Sequence, residues 1–557
     1  MLKRSAQLRR MASSRSLEAR KSRGAFFTPQ AITRFLAQWA IRRPTDAVFE
    51  PSCGEAAFLA AAADRLHALG APSIATDQLQ GTDIDQVSVS TAGGVLGDRG
   101  VTARLSVGDF FDTVPQRKFE AVIGNPPYVR YQAFAGAARA KGMEAALAQG
   151  VRLTALTSSW APFVVHATSF LAQDGRLALV LPAELLAVNY AAPVRRFLMQ
   201  RFAHVRLILF EERVFPGVLE EVVLLLAEGS GPTSHCELHQ AKNIGSLNDP
   251  DWKRWTPDDV EAPWVTGLLP ARTASLYADL AKGETFSKLL DWGDTCLGMV
   301  TGNNRYFALT AARVKELELR PSDLMKISPP GSRHLRGLSF TPSAWEEMVR
   351  TGARAYLFDP NPAELSDKAL HYIADGETAE VHTAYKCRTR SPWWRVPRVT
   401  TPDAFVTYMN HEAPRIVANR AQVSFLNSVH GIVFAPGRRQ IGMDLLPIAM
   451  LNSVTLLGAE LVGRAYGGGL LKLEPKEADR LPVPSLGAVF AAAADLRRLR
   501  PTLAKHLRTR NLTDVVKAVD RVLLRQSLKI SRDKIDQLWA ARRALFGRRV
   551  SRARGNV

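Results

Sequence analysis

Cysteine is scarce in this chain, and the little there is forms no pattern. Cys53, Cys236, Cys296 and Cys387 show no Cys-x-x-Cys spacing and no accompanying histidine pair, which excludes a disulfide framework and a zinc finger. The eleven histidines also lack metal-ligand spacing, so no metal is expected. Long apolar runs are missing too. Stretches such as Val222 to Ala227 fall far short of the roughly 20 residues of a membrane-spanning helix, and no membrane partner is expected. Residues 1–23 are basic and serine-rich but lack the apolar core of a secretory signal. Export is therefore not expected, and a reducing cytoplasm fits. A basic arm near nucleic acid explains this stretch better than an organelle transit peptide. Acid is in short supply: 73 Lys and Arg stand against 53 Asp and Glu, leaving a net charge of +20. A surplus on this scale attracts polyanions by releasing counterions at phosphates, which makes nucleic acid the leading partner.

What is present is the balance of a globular protein, 46% hydrophobic and 23% charged, in a chain of 557 residues that is long enough for two or more domains. From about Thr45 to Glu228, short apolar runs alternate with helical stretches, the pattern of a largely parallel sheet covered by helices. Strands are expected at Ala47 to Glu50, up to Asp83, up to Gly108, at Ala121 to Gly124, Arg176 to Leu181 and Val205 to Phe210. Helices are expected at Phe58 to Leu69 and Ser159 to Leu171. The Gly-Ser-Gly-Pro-Thr-Ser stretch at Gly229 to Ser234 has the composition of a linker and suggests a domain boundary. Beyond it the chain is richer in Trp, Arg and Pro, without a βαβ rhythm and without internal repeats. The resulting division is a basic arm (1–23), a catalytic domain (24–228), a recognition domain (235–500) and a basic helical segment (501–557).

The sharpest motif is Asn125-Pro126-Pro127-Tyr128, directly after the apolar strand Ala121 to Gly124. Ligands bind at the carboxyl ends of strands in open α/β sheets. An exocyclic amino group on adenine is a poor nucleophile because its lone pair is delocalised into the ring, so a catalyst must draw that pair back onto nitrogen. The Asn125 side-chain oxygen and the Pro126 carbonyl are two acceptors suited to this, and the two prolines stiffen the backbone that holds them. Tyr128 offers a ring face on which an extruded base stacks.

On these residues the chain resembles the gamma class of adenine-N6 DNA methyltransferases of type II restriction–modification systems. Further motifs carry the resemblance in the family's order. Phe49-Glu50-Pro51-Ser52-Cys53-Gly54 runs from a strand into a turn, and the resemblance implies that Glu50, Ser52 and Gly54 hold the methionine part of S-adenosylmethionine. Here Glu55 and Ala56 stand where glycine-rich versions occur. Thr82-Asp83-Ile84-Asp85 ends the next strand; Asp83 is implied to accept from the ribose hydroxyls, with Asp85 as the alternative. Gly108-Asp109-Phe110-Phe111 ends a third, with Asp109 facing the cofactor's adenine amino group and Phe110 packing on its ring. Upstream, Gly24-Ala25-Phe26-Phe27-Thr28-Pro29 is implied to fold over the cofactor, with Thr28 near its carboxylate. Asn125 is implied to contact the cofactor as well. Downstream, Phe215 of Arg213-Val214-Phe215-Pro216-Gly217 is implied to close the second face of the flipped adenine opposite Tyr128.

The resemblance also implies a fold class. This is the S-adenosylmethionine-dependent methyltransferase fold, an α/β Rossmann-like and mostly parallel seven-stranded sheet, followed by a mixed α+β target recognition domain and a helical C-terminal segment. Segments 301–307, 385–390 with Trp393 and Trp394, and 467–472 look like pieces of such recognition domains, mixing cations, aromatics and amides. The implied activity is methylation of adenine N6 in double-stranded DNA by base flipping, in the bacterial cytoplasm at the nucleoid. A separate cognate restriction endonuclease is the expected counterpart, and cleavage by this chain is not expected. Two alternatives stand beside it: a methyltransferase acting on RNA or on a protein glutamine, and a catalytically silent DNA-binding specificity protein.

Overall fold

A computed structural model describes residues 28–215, 221–466 and 468–554. The basic arm, Gly24 to Phe27, Pro216, Gly217 and Gly467 lie outside the described residues. The chain forms two compact units, one of Met1–Ala271 with Val550–Val557, the other of Arg272–Arg549.

The first unit is built on one sheet. Its strands are β1 (Val48–Glu50), β2 (Leu79–Asp83), β3 (Arg104–Val107), β4 (Phe119–Gly124), β5 (Leu171–Pro182), β6 (His204–Phe210), β7 (Val222–Glu228), β8 (Cys236–Ala241) and β9 (Lys253–Trp255), in spatial order β3-β2-β1-β4-β5-β7-β6-β8-β9. β1 to β5 run parallel, β7 is antiparallel to both β5 and β6, and β8 is parallel to β6. All six strands expected from the sequence are present. Both faces are covered, so side chains alternate between two cores along each strand. β4 sends Val122 to one and Ala121 and Ile123 to the other; β5 divides Leu177, Leu179 and Leu181 from Ala178 and Val180 in the same way. Helices α1 (Gln30–Ala40), α2 (Ala57–Ala68) and α3 (Gln86–Gly97) bury Leu36, Leu59 and Leu96 on one face. On the other, α4 (Gly136–Ala148), α5 (Trp160–Ala167) and α6 (Ala192–Arg201) bury Ala146, Phe163 and Leu198.

Two expectations are corrected here. The sheet has nine strands among the described residues rather than seven, because β8 adds to β6 and β9 to β8. For the same reason Gly229 to Ser234 is not a domain boundary. It is a strand-to-strand turn with Gly229 and Gly231 at positive φ, tied down where the Thr233 N–H donates to the Met199 carbonyl at 2.8 Å. Turn residues mark where a chain reverses, but not whether the next strand joins the same sheet.

The second unit holds a five-stranded sheet ordered Gly293–Leu297, His430–Phe434, Ala404–Val406, Ile416–Asn419, Ser339–Phe340, with smaller sheets and helices around it. Residues 501–549 belong to this unit rather than to a separate segment. Their helices bury Leu503, Leu507, Val515, Val519, Leu523 and Leu538, and Arg549 is buried in a bidentate pair with Glu460 at 2.9 and 3.0 Å. The arginine-rich composition hid an amphipathic pattern. Several aromatics of the segments resembling recognition elements are core. Tyr306 stacks on Tyr372 with ring centroids 4.5 Å apart, Phe307 and Trp394 are buried, and Tyr385 is exposed. No single helix among the described residues is long and apolar enough to cross a membrane.

Gly81 in β2 shows how closely the sheet approaches the loop after β1. A Cβ there would lie 2.9 Å from both Cys53 Cβ and Leu59 Cδ1. We expect Gly81→Ala to lower stability by about 1–3 kcal/mol in denaturant titration, as overpacking does; an unchanged midpoint would mean that the loop yields without strain.

Candidate active site

Parallel strands joined by right-handed crossovers bring their carboxyl ends to one edge, and this edge carries the chemistry. Glu50 ends β1, Asp83 ends β2, Asp109 follows β3 and Asn125 follows β4. A cavity of about 700 Å³ opens there, lined by Thr28, Glu50, Ser52, Gly54, Asp83, Asp109, Phe110 and Asn125 among others. Thus every residue expected at the cofactor lines one cavity, of a size that suits a nucleoside ligand.

The turn after β1 is held by acids. Asp83 Oδ2 accepts from the Gly54 N–H at 2.9 Å and its Oδ1 from the Asp85 N–H at 2.9 Å. Gly54 sits at φ +49°, with nothing within 4 Å of where a Cβ would lie, so the backbone here is open to a ligand. The buried Glu50 carboxylate accepts from the Leu59 N–H at 3.1 Å. Burial holds the Glu50 carboxyl well above the usual carboxylate range; the Leu59 hydrogen bond works against this and the Asp83 charge adds to it. Burial likewise pushes the Cys53 thiol up, which marks it as a packing residue rather than a nucleophile. Asp85 also lines the cavity, but it caps α3, accepting from Ser88 N–H at 3.2 Å and Ser88 Oγ–H at 2.7 Å. Asp109 Oδ1 accepts from the Phe111 N–H at 3.0 Å, and Phe110 packs against Phe163 with centroids 4.5 Å apart.

The tetrapeptide is fixed from several sides. Asn125 Nδ2 donates to Thr28 Oγ1 at 3.1 Å, and Ser52 Oγ donates to the Asn125 carbonyl at 3.2 Å. Asn125 Oδ1 is buried and has no hydrogen-bond partner among the described residues. A buried amide oxygen without a donor costs roughly 1–3 kcal/mol, so this oxygen is available to a hydrogen-bond donor from a ligand. Tyr128 donates to the Val180 carbonyl of β5 at 3.0 Å, its ring half-buried against both cores.

One expected residue is placed elsewhere. Phe215 is 3% exposed and belongs to the core with Val214 and Val222, so no face of its ring is open to a base; apolar packing beside β7 claims it. Thr28, expected at the cofactor carboxylate, also acts as the partner that orients Asn125. Sequence reasoning missed Phe163, which lines the cavity from α5, and Ser159, whose serine-before-helix signal reads as an ordinary cap.

A family model described as N-6 DNA Methylase matches residues 10–260, and one described as Type II methyltransferase M.Eco57I, C-terminal domain, matches residues 261–524. The chain is 23% identical over 522 residues to Type II methyltransferase M.AccI of Acinetobacter calcoaceticus, covering 91% of this chain and 94% of that protein. It is 25% identical over 488 residues to Type II methyltransferase M.XamI of Xanthomonas campestris pv. amaranthicola, covering 84% and 86%. The solved structure of the Type IIL restriction-modification enzyme MmeI in complex with DNA shares its fold at a TM-score of 0.56 and 12% identity, over 93% of this chain and 75% of that one.

Proposed function

We propose that this chain is an N-6 adenine DNA methyltransferase of a restriction–modification system, as the two matching family models and the type II methyltransferase relatives support, and that it is a gamma-class enzyme that turns an adenine out of duplex DNA and methylates its exocyclic nitrogen at the end of β4. Its methyl donor is S-adenosylmethionine. The donor set fits that molecule: Asp83 suits a ribose diol, Asp109 an adenine amino group, Phe110 and Phe163 an aromatic ring, and Glu50 and the open Gly54 backbone the charged methionine end. Bound there, S-adenosylmethionine supplies an electrophilic methyl on a sulfonium centre.

The observation that carries the reading is the buried Asn125 Oδ1, unpartnered among the described residues. It accepts one amino hydrogen of the target adenine and the Pro126 carbonyl accepts the other, which returns the lone pair to nitrogen and aims it at the methyl group. Tyr128 stacks on the extruded base. The nitrogen becomes acidic as its bond to the methyl carbon forms and loses a proton to water, so no general base is assigned. The second unit reads the duplex, and the net charge of +20 on the whole chain favours phosphate contacts. A separate cognate endonuclease and a place at the bacterial nucleoid complete the proposal.

The test is transfer of labelled methyl from S-adenosylmethionine to unmethylated genomic DNA by the purified protein, followed by nucleoside analysis. Label in N6-methyladenine is expected. Label in RNA or in a protein glutamine, or no transfer at all, would overturn the reading.

A pH dependence follows from Glu50. Its carboxyl is raised in the free protein, and a cationic ligand beside it favours the ionised form. Binding then releases a proton, and affinity for S-adenosylmethionine rises as pH climbs through the raised Glu50 pKa. Calorimetry in buffers of different ionisation enthalpy reads that proton; heats independent of buffer would remove Glu50 from the ligand's charged end.

A further inference from the structure

We propose that Ser159 is the positioning residue of the catalytic tetrapeptide, holding Tyr128 and the Asn125–Pro126 acceptors in register through its hydroxyl. The proposal rests on the reading of Asn125 to Tyr128 as the catalytic element. Ser159 stands immediately before α5, where a serine ordinarily caps the helix with its side chain, yet here it makes no cap bond. Its hydroxyl turns to the tetrapeptide instead. Ser159 Oγ accepts from the Val129 N–H at 2.9 Å and donates to the Pro127 carbonyl, while its own N–H donates to the Val129 carbonyl at 3.0 Å.

The geometry matters because of which groups are held. The Pro127 carbonyl belongs to the peptide plane before Tyr128, and the Val129 N–H to the plane after it. One buried hydroxyl therefore fixes both planes that flank Tyr128, and with them the direction of its Cα–Cβ bond. The Tyr128 hydroxyl is anchored independently on β5, so the ring is held at both ends. Since Pro127 lacks an N–H and has a locked φ, the stiffness passes back to the Pro126 carbonyl.

The anchor is itself held. Trp160, fully buried, donates from Nε1 to Tyr190 Oη at 3.0 Å, and Tyr190 donates to Glu184, which pins the first turn of α5 to the segment after β5. Ser159 is only 3% exposed, so water has no ready path to replace the lost hydroxyl. The helix gives up a side-chain cap, and the tetrapeptide gains a rigid mount.

The experiment compares wild type, Ser159→Ala, Ser159→Thr and Asn125→Ala in single-turnover methyl transfer, with equilibrium binding of S-adenosylhomocysteine and melting temperature measured alongside. For Ser159→Ala we expect the transfer rate to fall about 10- to 100-fold, the effect of misplacing reacting groups by about 1 Å, with S-adenosylhomocysteine affinity within about twofold of wild type. Ser159→Thr, which keeps the hydroxyl, should recover most of the rate. A Ser159→Ala rate near wild type would overturn the proposal. So would a loss of ligand affinity in step with the rate, since that marks a merely structural role. If the wild type methylates another acceptor than DNA, the functional reading falls, and the Ser159 comparison is decided on that acceptor.

Discussion

Asn125→Ala should reduce methyl transfer to DNA by about 10²- to 10³-fold or more, the loss typical of deleting one preorganised polar group aimed at a reacting centre. The alanine keeps the backbone of the tetrapeptide, including the Ser52 hydrogen bond to the residue 125 carbonyl, and removes only the amide. Two consequences must be separated. The Nδ2 bond to Thr28 Oγ1 is lost, at a net cost of about 0.5–1.5 kcal/mol of stability. Oδ1 is lost too, and because it bonds to nothing among the described residues its removal relieves a buried unsatisfied group. The variant should therefore fold with near-normal stability while failing to transfer methyl, the combination expected of a residue retained for chemistry. Thr28→Ala is the control, since it frees Asn125 to turn but leaves its oxygen; a smaller loss is expected. Single-turnover assays with melting curves decide the matter. An Asn125→Ala rate within about tenfold of wild type would mean that another group activates the amine.

The second large effect is at Asp83. Its two oxygens each accept a backbone N–H, from Gly54 and from Asp85, and so shape the turn that faces the cavity. Hydrogen bonds to a charged group are worth about 1.5–3 kcal/mol. In Asp83→Ala, losing the ligand's diol contacts together with the turn's shape should cost at least about 3 kcal/mol of binding, which at about 1.4 kcal/mol per decade is roughly 100-fold in affinity for S-adenosylmethionine. Asp85→Ala removes a helix cap instead and should cost about 1 kcal/mol of stability, seen as a lower melting temperature, with little effect on affinity. Equilibrium binding and thermal melting on both variants settle the assignment. The reverse pattern, affinity lost at Asp85 and kept at Asp83, would exchange their roles.

What the sequence determined by itself was everything that local rules govern. Strands β1 to β6 were legible because apolar runs bounded by turns have the length and composition of buried strands. Glu50, Asp83, Asp109 and Asn125 were legible because each lies at or just past the end of a strand, and a parallel sheet sends all such ends to one edge. The tetrapeptide was legible because adenine's amino group needs two rigid acceptors. What only the tertiary structure decided depended on partners far away in the chain. Gly229 to Ser234 looked like a linker until β8 was seen to pair with β6, which moved the boundary to Ala271. Phe215 looked like a base-stacking residue until the core beside β7 enclosed it. Thr28 and Asn125 are 97 residues apart and Ser159 lies 32 residues from Pro127, yet each pair shares a hydrogen bond. A short motif encodes its own backbone shape and the kind of atom it offers. Which neighbour satisfies that atom, and which atom is left waiting for a substrate, follows from how distant segments pack, and no local pattern carries that information.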